Sequence, residues 1–239
     1  MYRLNPETAL TPSMIQRYIQ KHRNEEKKLE KLRDYYLGKT AITQRIMADP
    51  AKPNNKIVNP YAQYITDTFT GYFLGEPVAY ACGESEELLE RISDIYNYND
   101  EAAINAELAK DASIYGVAYE LMYMDEAADI RFKKIDPIKA IPIFDNTLEE
   151  DLLYFIRYYD DVDIMTDNKT TYVEVYSRES IRYYVNDTTM KLTNERPHAF
   201  KAVPINIYQN NEEELGDFES VVSLIDAYDL ITSDSVNDM

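Results

Sequence analysis

Residues 152–162 read LLYFIRYYDDV, and the run alternates. Leu152, Tyr154, Ile156 and Tyr158 share one side of an extended chain, while Leu153, Phe155, Arg157 and Tyr159 take the other. A period of two in a stretch rich in aromatic and branched side chains specifies a strand rather than a helix. Both sides are partly apolar, so helices or a neighbouring subunit must cover the second face. Working outward, VAYELMYMD (117–125) and DIRFKKI (129–135) flank a turn at Asp125 to Asp129, and DPIKAIPIF (136–144) is held extended by its prolines. TTYVEVYS (170–177) and SIRYYVN (180–186) continue the alternation, with turns at DNKT (167–170) and SRES (177–180). The expectation is a meander of mostly antiparallel strands.

Helices flank it. Thr11 and Pro12 open one that runs to Leu37, with Ile15, Tyr18, Ile19, Leu29, Leu32 and Tyr36 at its apolar positions and Gly38 as its stop. Residues 46–56 hold prolines and asparagines without periodicity and read as a linker. Asn59 and Pro60 form an N-cap and first-turn pair for a helix over 59–74, which ends at Gly75. Gly75 takes the left-handed position that Gly or Asn serves, Pro77 forbids more helix, and a short strand follows at 78–82. Gly71 and Gly75 thus belong to a helix exit rather than to a ligand loop. Ser85 caps a helix with apolar residues at 88, 89, 92 and 95. Asp100 caps another that Gly116 ends. A polar loop after VPINIYQ leads to a last helix capped near Asp217, with Val221, Leu224, Ile225, Tyr228 and Ile231 on one stripe. The fold class is therefore α+β: N-terminal helices, an antiparallel strand meander and a C-terminal helix.

The 239 residues carry a net charge of −18, which argues against a general nucleic-acid binder. The charge is uneven. Residues 1–56 hold 12 basic and 6 acidic side chains, a net of +6, and the other 183 hold 13 basic and 37 acidic, a net of −24. This split marks a basic helical arm with its linker (1–56) and an acidic α/β body (57–239). The cations Arg17, Lys21, Arg23, Lys27, Lys28 and Lys31 are candidate contacts to the acidic body of a neighbouring subunit. A solvated helix laced by pairs such as Glu30 with Arg33 is the plainer reading of the same stretch. The single cysteine, Cys82, excludes an internal disulfide and a cysteine-based zinc cluster. No segment approaches the roughly 20 apolar residues of a membrane span, and no secretory leader opens the chain, so a cytosolic origin is expected.

Chemistry is sparse. Phosphate-cradling Gly-rich loops and a GxSxG nucleophile elbow are absent. The two histidines are His22, amid the charged helix, and His198, in a loop beside Pro197; neither adjoins a nucleophile motif. Asp160, Asp161 and Asp163 after a strand, with Glu174 on the next, are the candidates for a divalent-metal-dependent phosphodiesterase, set against a strand end bearing solvated acids. No cofactor is expected, and the chain reads as a non-enzyme.

Three stretches carry a further reading. IVNPYAQYITDTFTGYFLGEPVAY (57–80), DASIYGVAYELMYMDE (111–126) followed by IKAIPIFDNT (138–147), and VPINIYQNNEEELGDFESVVSLIDAYDLITSDSVND (203–238) resemble, in order, segments of bacteriophage portal proteins of long-tailed phages of Gram-positive hosts. The resemblance implies a mechanical role. Family members form a ring, usually of twelve subunits, at one capsid vertex, through which DNA is packaged and ejected. They dock the terminase motor, the scaffolding protein and the head-completion proteins, and the double-stranded DNA passes without sequence-specific binding. The implied location is the virion, after synthesis in the bacterial host cytoplasm. The matched region is similar to the outer, wing-like α/β part of a subunit; full portals are about twice as long and continue into stem, clip and crown. On that comparison the chain is a fragment or the product of an interrupted prophage gene, and is expected to be monomeric or weakly associated alone. An acidic body suits a conduit for DNA, because like charge keeps the polyanion from sticking.

Overall fold

In the computed structural model the described residues are 2–83, 85–187 and 189–238. Their elements run β1 (Tyr2–Leu4), α1 (Pro12–Tyr36), α2 (Tyr61–Phe73), α3 (Glu86–Asn99), α4 (Glu101–Tyr115), β2 (Val117–Met124), β3 (Ile130–Ile135), β4 (Ala140–Asp145), β5 (Leu152–Val162), β6 (Lys169–Tyr176), β7 (Ser180–Asn186), β8 (Met190–Pro197), β9 (Ile205–Gln209) and α5 (Val222–Asn237). The α+β expectation holds. The chain divides into two compact units, one of Met1–Lys27 with Tyr119–Ile207 and one of Lys28–Ala118 with Tyr208–Met239. Each unit draws on both ends of the α1 to β9 span, so neither is continuous in sequence.

The first unit is built on a six-stranded sheet in the order β1-β4-β5-β6-β7-β8. β1 joins β4 in parallel, with Tyr2 beside Ile143, and every other neighbouring pair is antiparallel. β1 and β8 were not anticipated. A three-residue strand gives no periodicity, and MKLTNERP carries too few apolar residues to show one. One sheet face packs under the first half of α1: Ile15 and Ile19 are buried against Ile141, Ile143, Ile156, Tyr158, Val173 and Val175. Burial of an Ile side chain contributes about 1.5–3 kcal/mol, so this seam fixes the helix to the sheet. Part of the second face is covered within the same unit, where Tyr119 of β2 meets Phe155 of β5 edge to face at 5.2 Å. β2 sits between β3 and β9 in a separate three-stranded sheet.

The second unit is mainly helical. The buried hydroxyls of Ser113 on α4 and Thr66 on α2 lie 3.2 Å apart, small groups that let the helices approach closely. Ser85 caps α3 by accepting from the Leu88 N–H at 3.2 Å, as its sequence predicts. Gly116 ends α4 with φ +83°, and a Cβ there would fall 2.1 Å from the Glu214 carbonyl oxygen. The 210–217 segment is tied to this helix end by the Asn210 N–H on the Gly116 carbonyl and the Asp217 N–H on the Ser113 carbonyl, at 2.9 and 2.8 Å.

Several local expectations are corrected. Pro60 occupies the N-cap of α2, and the Asn59 amide is turned away to donate to Asp229 and Thr232 at 2.9 and 3.0 Å. Gly71 lies inside α2, and Gly75 is not left-handed: the described glycines with positive φ are Gly38 and Gly116. Gly75 is instead a place of close approach, since a Cβ would fall 2.4 Å from the Gly71 carbonyl oxygen. Residues 78–82 form no strand; Pro77, Val78 and Tyr80 line a shallow recess with Tyr96. Residues 137–139 wind into a short 3-10 turn capped by Asp136 before β4 begins.

α5 departs furthest from its periodicity. Its helix starts at Val222 without a side-chain cap, not at Asp217. The stripe it buries is Ile225, Asp229 and Ser233, whereas Leu224 and Ile231 are 66% and 62% exposed. The cause is the 40–59 loop, whose polar groups need partners. The Asp229 carboxylate accepts from the Thr40 hydroxyl at 2.5 Å and from the Asn59 N–H and amide at 2.8 and 2.9 Å. The Ser233 hydroxyl accepts from the Ile57 N–H at 2.9 Å, and Asn237 Oδ1 accepts from the Asn55 N–H at 2.9 Å.

Candidate functional site

The sheet pairing of the first unit opens a cleft of about 1110 Å³ between the outer face of β5–β8 and the β2–β3 hairpin. Alternation along β5 aims Arg157 and Tyr159 into it, opposite Glu174 and Tyr172 of β6. Arg157 donates to Glu174 Oε1 at 2.9 Å, and the Tyr176 phenol donates to Glu174 Oε2 at 2.8 Å. The Arg157 guanidinium also lies 4.8 Å from the Tyr159 ring centre, and Tyr159 stacks on Tyr172 at 5.4 Å. Burial and the adjacent Glu174 carboxylate push the Tyr176 phenol far above its usual range. Burial works to lower the Arg157 pKa, but Glu174 more than offsets it and the guanidinium stays charged. On the edge strand, Arg196 stands 6.0 Å over the Tyr183 ring.

This cleft offers stacked aromatics and fixed cations, and no activated nucleophile among the described residues. His198 lies at its rim with both nitrogens engaged: Nε2 donates to the Ser177 carbonyl at 2.9 Å and Nδ1 accepts from the Phe200 N–H at 3.3 Å. It holds a loop. His22, which its charged neighbours make look solvent-facing, is a core residue at 4% exposure. Its Nδ1 is 2.8 Å from the Tyr158 hydroxyl, and burial lowers its pKa to about 4 against the opposing influence of Glu25. The helical spacing of 15, 19 and 22 was the signal for this placement, because it puts His22 on the stripe of Ile15 and Ile19.

The four acidic candidates do not converge. Asp160 accepts from Thr171 at 2.6 Å and pairs with Lys169 at 2.8 Å and Arg23 at 3.5 Å. Burial works to raise its pKa, but these donors hold it below the ordinary carboxylate range. Asp161 is exposed on β5, Asp163 closes a turn by accepting from the Met165 N–H at 2.8 Å, and Glu174 points into the cleft. Glu174 and Asp160 therefore lie on opposite faces of the sheet. Among the described residues no group of three or more His, Cys, Asp or Glu is placed to hold a metal ion.

Of the six α1 cations, four touch their own chain. Lys21 lies 5.1 Å over the Tyr2 ring, Arg23 pairs with Asp160, Lys28 pairs with Glu219 at 2.6 Å, and Lys31 lies 5.3 Å over the Tyr35 ring. Arg17 and Lys27 are exposed without an ion pair among the described residues. The cleft itself was half visible in the sequence: the β5 pattern placed Arg157 and Tyr159 together, but nothing announced Arg196. No helix of the described residues is long and apolar enough to cross a membrane.

Residues 15–239 match the model of the family described as phage portal protein, SPP1 Gp6-like. The chain is similar to the portal protein of Bacillus phage SPP1, with 28% identity over 250 aligned positions that cover 94% of this chain and 49% of that relative. It is also similar to the portal protein of Clostridium phage phiCD119, with 24% identity over 227 positions covering 85% of this chain and 49% of the relative. The chain spans about half the length of these curated relatives.

Proposed function

Because the chain belongs to the SPP1 Gp6-like family of phage portal proteins, we propose that it is a structural portal subunit, or the wing-like part of one. In this reading it contributes to the ring at the capsid vertex through which double-stranded DNA is packaged and ejected. The family match over residues 15–239 is the observation that carries it. The scattered carboxylates and the engaged histidines agree with a mechanical role, and the acidic net charge suits a wall along which a polyanion must slide. Terminase, scaffolding and head-completion proteins are the partners this reading assigns, and the virion is its location. In this reading the 1–56 region, although β1 and the first half of α1 are built into the first unit, presents Arg17 and Lys27 as its cations toward a neighbour.

Sedimentation at high protein concentration, with negative-stain microscopy of the same samples, tests the reading. The expected result is weak, reversible self-association without a stable closed ring in the images, and no turnover of DNA or ATP. A strictly monomeric chain that cleaves DNA with Mg²⁺ or Mn²⁺, and loses that activity on Asp161→Ala or Glu174→Ala, would establish the phosphodiesterase alternative instead.

A further inference from the structure

The cleft of the first unit is basic in an acidic protein. Lys133, Lys134, Lys139, Arg157 and Arg196 line it against Asp136 and Glu174. Arg157 is answered by Glu174 and Lys139 by Glu26. Lys133 and Arg196 are exposed and have no carboxylate partner among the described residues. Leu121, Ile181 and Phe200 give part of the wall an apolar surface.

The 210–217 loop of the second unit carries the complementary chemistry. Glu212 and Glu213 project from it, exposed and without an ion pair among the described residues, and Leu215 beside them is 39% exposed. The loop is held rigid from inside. The Asn211 amide donates to the Leu215 carbonyl at 2.7 Å and Asn211 Oδ1 accepts from the Leu215 N–H at 2.8 Å, while the Asn210 amide donates to Asp217 at 2.8 Å. A loop fixed in this way loses little conformational freedom on docking, which favours it over a mobile acidic tail.

We propose that the cleft is a docking site for the Glu212–Leu215 loop of a second copy of this chain. Lys133 and Arg196 would take the two glutamates, and the apolar wall would take Leu215. Two different surfaces meet in such a contact, so it is heterologous and continues from copy to copy as a ring or a filament does. The inference rests on the ring-subunit reading and supplies it with a named contact.

The test mixes two singly substituted chains in a Cys82→Ser background, one carrying Arg196→Cys and the other Glu213→Cys, under mild oxidation. Mixing makes the product intermolecular by construction. The expected result is a disulfide heterodimer formed several-fold faster than from Arg196→Cys mixed with Glu90→Cys, a control on the exposed side of α3. Charge reversal gives a second readout: Lys133→Glu with Arg196→Glu should weaken self-association several-fold, and mixing that chain with Glu212→Lys, Glu213→Lys should restore it. Cross-linking no faster than the control assigns the cleft to some other occupant and overturns the proposal. Self-association that persists unchanged in the charge-reversed chain overturns it too, while leaving the ring reading intact. An unmodified chain that does not associate even at high concentration overturns the proposal while leaving the portal reading to the family match.

Discussion

His22 Nδ1 and the Tyr158 hydroxyl meet at 2.8 Å in the core of the first unit, joining the face of α1 to the middle of β5. Tyr158 Oη in turn stands 3.5 Å from a Glu26 carboxylate oxygen, and Glu26 pairs with Lys139. Charging the imidazole would place a cation where desolvation opposes it, with Lys139 nearby adding repulsion.

Stability should therefore depend on pH through His22. Its pKa is about 4 when folded and 6.5 in the reference state, so the unfolded chain binds the extra proton between those values. The contribution is whole above pH 6.5 and falls away as pH drops toward 4, by about 1 kcal/mol between pH 7 and pH 5.5 and about 3 kcal/mol in all. Urea titrations at those pH values should show this loss in the native chain and not in His22→Asn. An unchanged pH slope in the variant would place the sensitivity elsewhere.

Asp229→Ala should cost about 3 kcal/mol or more, because the Thr40 hydroxyl and the Asn59 amide and N–H lose their shared acceptor inside the second unit. Limited proteolysis should then cut residues 46–56 faster, since their anchorage on α5 runs through the same row. Thermal melting and protease mapping that match the native chain would show that the loop is held by other contacts.

Gly75 tests whether space or backbone angle sets the residue. A left-handed site accepts Asn, but a Cβ at 2.4 Å from the Gly71 oxygen penalises every other side chain. Gly75→Ala and Gly75→Asn should both destabilise, each by about 1–3 kcal/mol. An Asn variant that melts with the native chain while Ala does not would restore the left-handed reading.

In the cleft, Glu174→Ala removes the acceptor of both Arg157 and Tyr176 and should cost about 2 kcal/mol, with Glu174→Gln costing less because it still accepts from Tyr176. A double-mutant cycle with Arg157→Met should return a coupling near 1 kcal/mol. Coupling indistinguishable from zero would mean that the pair is open to solvent in solution.

What the sequence showed and hid follows one physical line. Where a residue answers to its own element, the reading was sound: the alternation of Ile156 and Tyr158, the cap at Ser85 and the left-handed stop at Gly116 are all local rules. Where a distant segment dictates, periodicity misled. The apolar stripe of Leu224, Tyr228 and Ile231 implied the buried face of α5, yet the unsatisfied polar groups of the 40–59 loop draw Asp229 and Ser233 inward instead. The cleft shows both sides, since Arg157 lies on a legible strand and Arg196 on one whose polar residues conceal its period.

The seam along α5 has a mechanical consequence. Apolar contact is indifferent to direction, so a helix seated on grease can roll about its axis at small cost. α5 is held by Asp229, Ser233 and Asn237, at successive four-residue steps along one line. Advancing by a single residue turns a helix by about 100°, which would break all of those directional bonds together. The helix is keyed in its seat like a shaft in a slotted collar, and twist applied at its far end is passed to the 40–59 loop rather than dissipated as slip.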